Sequence, residues 1–163
     1  MITAFNLAGF LSAHAIWCVS DGEIFTPIFG YTTEAGERRM ERLVTESLET
    51  AVALGKDKLT LNEHDANDAV LLYDGSIPLN DERFDAIIVE IRSYFSPGSE
   101  AVMAIPYRPK GSSDPFSVYK PKLVQWANCE DFDVNAAVQS FFEGVDGHEK
   151  GAAVWNEALD QSI

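Results

Sequence analysis

Basic residues are scarce in this sequence. Lys and Arg number 12 against 26 Asp and Glu, a formal charge of −14 over 163 residues. Sequence-independent grip on nucleic acid or anionic lipid needs Lys and Arg to meet phosphates, so neither nucleic acid nor membrane is expected as a partner. Cysteine is scarcer still: Cys18 and Cys129 stand far apart, with no CxxC and no Cys/His cluster. That excludes a zinc knuckle and a disulfide-stapled scaffold, and two buried reduced thiols are expected rather than one bridge. Local catalytic signatures are missing too, with no GxSxG elbow, P-loop, HExxH, GxGxxG or EF-hand loop. What remains open to catalysis is a site whose residues converge only in space.

Apolar residues are plentiful. Hydrophobic side chains make up 46% of the chain and aromatics 11%, which rules out disorder throughout. A chain of this length removes about 70% of its unfolded surface from water, enough to hold a core without metal or disulfide. One domain over residues 1–163 is expected, with no cofactor and no metal.

The apolar opening, residues 1–17, contains Ala13-His14-Ala15, which imitates a leader cleavage site, but no Lys or Arg precedes Arg38. Asn6, Ser12 and His14 interrupt the run, which falls short of the ~20 residues that span a bilayer. It reads as a buried helix of a cytoplasmic protein. Asn6 is its expected N-cap, and Leu7, Phe10, Leu11, His14 and Cys18 follow at helical spacing. With Ala13, Ile16 and Trp17 filling the flanks, the helix needs cover on more than one side.

Asp21-Gly22 marks a turn, and 23–32 reads as a strand that Pro27 confines to an edge or a bulge. A long second helix is expected from Thr32 or Thr33 to Leu54, stopped by Gly55, with Met40, Leu43, Val44, Leu48, Ala51 and Val52 facing inward. Strands 69–73 and 76–79 flank Asp74-Gly75, a hairpin signal; 84–95, 101–107 and 116–126 follow as strands, with a turn at 96–99. Lys120-Pro121-Lys122 protects an edge. Asp131 or Asp133 caps a helix carrying Val134, Ala137, Val138, Phe141 and Phe142, broken by Gly144 and Gly147 before a short terminal helix.

The expected fold class is therefore α+β, in the order α-β-α-β-β-β-β-α. An antiparallel sheet of about five strands packs on the long second helix. Strand, long helix, strands resembles the hot-dog arrangement, in which a curved sheet wraps a central helix; cystatin-like cones and other one-sided α+β sheets share the order.

Three places could carry function. Residues 62–68 gather Asn62, Glu63, His64, Asp65, Asn67 and Asp68, which resembles a cation loop, but Val70 stands where an EF-hand needs glycine. They read as a solvated connector. His14 shares a helix face with Cys18, where a base beside a thiol could make a nucleophile; a packed histidine is the plainer reading. A ligand pocket between sheet and helix would use His14, Trp17, Asp21 and Tyr107. The third place is set by charge. Residues 1–55, 56–90, 91–126 and 127–163 carry −4, −6, +3 and −7, the basic strip resting on Arg92, Arg108, Lys110, Lys120 and Lys122. An acidic helical face built from Glu130, Asp131, Asp133, Glu143, Asp146, Glu149, Glu157 and Asp160 could meet a basic protein, with Glu143, Asp146 and Glu149 as its centre. The favoured function is a non-catalytic binding module, of the inhibitor, immunity or chaperone-like kind. The alternative is a small-ligand-binding domain or enzyme at the His14, Trp17 and Tyr107 pocket.

Overall fold

In the computed structural model, residues 1–95, 98–129 and 133–163 are described. The chain runs α1 (Ile2–Ser20), β1 (Ile28–Thr32), β2 (Arg38–Arg42), α2 (Leu48–Leu61), β3 (Asp68–Leu79), β4 (Glu82–Ser93) and β5 (Ser99–Arg108). It continues through β6 (Ser117–Tyr119), β7 (Lys122–Ala127), α3 (Val134–Asp146), α4 (Glu149–Ala158) and the two-residue β8 (Leu159–Asp160). One curled sheet has the order β2-β1-β3-β4-β5-β6-β8, with β7 also on β5. Every pairing is antiparallel except β6 with β8. The α+β class stands, but the sheet is mixed and larger than the five antiparallel strands expected.

Alternation along the strands feeds two cores, because successive side chains point to opposite faces. Ile28, Val70, Leu72, Ile87, Val89, Ile91, Met103 and Ile105 turn to α1. Phe29, Ala69 and Leu71 turn the other way, to Leu43 and to Ala51 and Leu59 of α2. Behind α1 lie α3 and α4, so α1 is covered on both sides, as its apolar circumference requires. The helices approach closely where side chains are absent: a Cβ on Gly9 would fall 1.8 Å from Phe141 O, and one on Gly144 2.0 Å from Asn6 O. Helix α1 is long and apolar enough to cross a membrane, yet 61% of its most apolar window is buried inside this fold.

Several expected boundaries move. Asn6 lies inside α1 rather than capping it, and α1 starts at Met1 without a side-chain cap. Pro27 precedes β1, an interior strand between β2 and β3.

The long second helix is not formed. Its first half is the β1–β2 hairpin, closed by Gly36 at φ 84 and by Thr33, whose N–H donates to Glu37 O at 2.8 Å. The helix itself starts at Ser47, whose hydroxyl accepts from Thr50 N–H, and ends on Asn62 at φ 45. Gly55 is not its stop but a buried contact, where a Cβ would meet Leu71 Cδ1 at 2.3 Å. Of the expected inward stripe only Leu43 and Ala51 are buried; Leu48 is 48% exposed and Val44 78%. The helix wrapped by the sheet is thus α1, and the element order that resembled the hot-dog arrangement is not the one realised.

Asp74-Gly75 makes no turn. β3 and β4 pair through twelve positions, Asp68↔Ser93 to Leu79↔Glu82, and Asn80-Asp81 close them with φ of 50 and 65, a type I′ connection. The last expected strand breaks at Lys120-Pro121 into β6 and β7, both on β5, and β7 has an open edge among the described residues. Asp133 caps α3, and the helix runs through Gly144 to stop at Gly147. The turn at Ser96-Pro97 and the alternative cap Asp131 lie outside the described residues.

Candidate functional site

The four residues expected to line a ligand pocket separate into two places. His14 and Trp17 meet on α1, with ring centroids 5.8 Å apart, and His148 joins them from the start of α4. His148 Nδ1 accepts the Gly151 N–H at 2.9 Å as the cap of α4, so its proton sits on Nε2 and is donated to His14 Nδ1 at 3.1 Å. Both rings are then neutral. Burial, then His148, then Arg42 hold the His14 pKa below the ordinary histidine value. A metal on His148 Nε2 would force the remaining proton onto Nδ1 and break the cap, so this pair is a poor metal ligand set.

Asp21 ends α1 and is exposed. Tyr107 belongs elsewhere: its hydroxyl donates to Asp74 Oδ1 at 2.9 Å and its ring packs on Phe116. Burial, with that hydrogen bond behind it, pushes the Tyr107 pKa well up. Burial also pushes the Cys18 thiol up, and Glu23 adds to it, so Cys18 is held as a thiol rather than as a nucleophilic thiolate. Cys18 and Cys129 are both free and half-buried.

The acidic end keeps its charge in three dimensions. Glu143, Asp146 and Glu149 are exposed around the α3–α4 corner, with Asp133 and Glu157 exposed on the same two helices. None of the five forms a salt bridge among the described residues. The nearby cation, Lys150, lies instead over the Trp17 ring at 5.1 Å. Glu130 and Asp131 of the expected face lie outside the described residues, and Asp160 is half-buried.

Between these acids runs an apolar row that the sequence reading put on this helix without assigning it a face. Val134, Val138 and Phe142 follow at four-residue spacing and stay 43%, 41% and 37% exposed. Asp133 precedes the row and Asp146 stands one turn past its end. Val138 and Phe142 also edge a cleft of about 200 Å³ shared with Lys120, Pro121 and Leu123.

Elsewhere several cations are occupied. Lys58 bridges Glu41 at 3.0 Å and Glu63 at 2.9 Å, Lys56 meets Glu90 at 3.4 Å, and Arg92 reaches Glu100 at 3.3 Å. Of the basic strip expected from Arg92 to Lys122, Arg92 is the one member in a salt bridge among the described residues.

Residues 62–68 divide. Asn62 caps α2 and its side chain accepts from Ala66 N–H at 2.9 Å, the connector role expected of it. Asp68 does something else. It opens β3, is 1% exposed, and accepts from Thr3 Oγ1 on Oδ2 at 2.8 Å, while Oδ1 has no hydrogen-bond partner among the described residues. Burial raises its pKa; the Thr3 bond, the N-terminal amine and the Ser93 hydroxyl oppose that rise, the last without reaching hydrogen-bonding geometry.

Asp68 lines a cavity of about 550 Å³ where five parts of the fold converge. Thr3, Asn6 and Leu7 come from α1, Gly36 and Arg38 from the β1–β2 hairpin, Asn67 and Asp68 from the start of β3, Phe95 from just past β4 and Ser140 from α3. A larger hollow, about 650 Å³, lies between α4 and the 109–116 loop, and no buried polar group lines it among the described residues. Comparison with protein-family models, curated proteins and solved structures found no match. The site must stand on its chemistry alone.

Proposed function

We propose that this is a non-catalytic binding protein that engages a basic partner through the α3–α4 end. The observation that carries this reading is the pairing of unneutralised acid with exposed apolar surface at one end of the fold. Glu143, Asp146 and Glu149 are exposed and unbridged, beside the row Val134, Val138 and Phe142. Opposite charge sets encounter rate and orientation, and a buried apolar anchor supplies most of the holding energy. The partner that fits is a Lys- or Arg-rich segment carrying large apolar side chains.

A test uses a synthetic Lys-rich peptide with interspersed leucines, mixed with the protein by stopped flow at two salt concentrations. Association should slow steeply above ~0.15 M salt, where the screening length falls to about 8 Å. Glu143→Gln, Asp146→Asn and Glu149→Gln together should slow it further at low salt and leave the melting temperature unchanged. A second triple, Glu34→Gln, Glu46→Gln and Asp57→Asn, removes the same charge from exposed positions elsewhere. Equal slowing by the two triples would reduce the acidity to bulk charge and defeat the reading.

A further inference from the structure

We propose that the cavity walled by Asp68, Asn67, Arg38 and Phe95 binds a zwitterionic α-amino acid with an apolar side chain. Its ammonium would sit on Asp68 and its carboxylate on Arg38. This site is separate from the acidic end and does not depend on it.

The argument starts from Asp68. A carboxylate with 1% exposure needs more partners than one hydroxyl, and Oδ1 has none. Among the described residues no Lys or Arg bridges it, and the N-terminal amine forms no salt bridge with it. An ammonium brings three donors. Asn67 offers a second acceptor, because its amide nitrogen is already turned to Thr33 O at 3.4 Å, which leaves the side-chain carbonyl for a ligand. A metal ion asks for more than this: among the described residues no group of three His, Cys, Asp or Glu could hold one.

The counter-charge is fixed in advance. Arg38 Nη2 donates to Asn6 Oδ1 at 2.6 Å and its guanidinium lies 4.7 Å over the Phe10 ring, so the fork is held while its other N–H groups stay available. Asn6 is in turn anchored to α3 through Ser140 O at 3.2 Å. A plain amine would be repelled by Arg38 and a plain carboxylate by Asp68, whereas a zwitterion satisfies both. Ile2, Leu7 and Phe95 supply apolar wall, and Phe95 stands 73% exposed at the rim.

Calorimetric titration decides it. L-leucine and L-phenylalanine should bind saturably, and glycine, which leaves the apolar wall uncovered, at least ~10-fold more weakly. Leucinamide, without the carboxylate, and N-acetyl-leucine, without the ammonium, should each lose about 10-fold or more. Asp68→Asn keeps the shape and should abolish leucine binding; Arg38→Gln should weaken it and erase the difference between leucine and leucinamide. Arg38 is exposed, so its variant serves even if Asp68→Asn fails to fold. No binding of leucine or phenylalanine to the wild type, equal binding of N-acetyl-leucine, or full binding by either folded variant would overturn the proposal. Stopped-flow behaviour of the basic peptide should be the same in Arg38→Gln, which keeps this test independent of the one above.

Discussion

The two faces of the sheet are built from the same strands yet differ in kind. On one, α1 brings an apolar circumference, and the sheet, α3 and α4 enclose it in a single large core. On the other, α2 covers a cluster of six buried residues and is tied down by ion pairs at its margin, Lys58 to Glu41 and Glu63 and Lys56 to Glu90. Partly exposed ion pairs contribute about 0–1 kcal/mol each, so the α2 face rests on a few apolar contacts and the α1 face on many. The comparison teaches where local opening should begin. Helix α2 can detach without uncovering the main core; α1 cannot move without dissolving it.

The largest expected effect tests the α1 side. Phe141→Ala removes a fully buried ring between α1 and Trp155 and should cost about 3–5 kcal/mol. Leu59→Ala empties the α2 cluster and should cost less, toward the low end of about 2–5 kcal/mol. Denaturant melts measure both. Hydrogen exchange separates them: Leu59→Ala should speed exchange in α2 and leave α1 protected. Parallel loss of protection in both helices would mean the two cores open as one.

A middle-sized effect comes from the histidine clasp that holds α4 to α1. The His14 pKa is lowered in the folded protein, so the unfolded chain binds the proton more readily. Stability from this group is present above about pH 6.5, the unfolded value, and is lost as pH falls toward the folded one. Melting temperature should drop between about pH 7.5 and 5.5, and His14→Gln should shrink that drop; an unchanged drop would place the acid sensitivity elsewhere. The smallest expected effect is Leu48→Ala. At 48% exposure Leu48 has little to lose, and the change should stay within about 0.5 kcal/mol in the same melts.

Leu48 also marks where sequence reasoning met its limit. Met40, Leu43, Val44, Leu48, Ala51 and Val52 keep helical spacing by coincidence across a strand, a connector and a helix. The correcting signals were local and present: Gly36 at a left-handed turn and Ser47 as an N-cap. Helix α1 was legible because its whole circumference is apolar, which no single-faced element needs. Asp74-Gly75 misled because a hairpin is set by register over the pair as well as by its turn residues, and twelve pairings carry the turn to Asn80-Asp81.

The candidate sites were less legible for a different reason. His14 could be singled out, but its partner His148 lies 134 residues along the chain. Asp68 was absorbed into a polar connector because burial of one acid at a strand start leaves no trace in spacing. The acids Glu143, Asp146 and Glu149 could be placed at the surface by composition, whereas the exposure of Val138 and Phe142 beside them depends on how far α3 rolls onto α1.

The contacts between α1 and α3 carry a consequence for synthesis. Ser140 Oγ donates to Ile2 O and Asn6 donates to Ser140 O, so α1 is completed by a residue that follows Asn6 by 134 positions. While the chain emerges, α1 is an apolar rod whose lid has yet to be translated, and contacts this distant in sequence form slowly. Helix α1 therefore stays uncovered by α3 until the residues between them have been made. The length of that interval is set by chain order, whatever the stability of the finished fold.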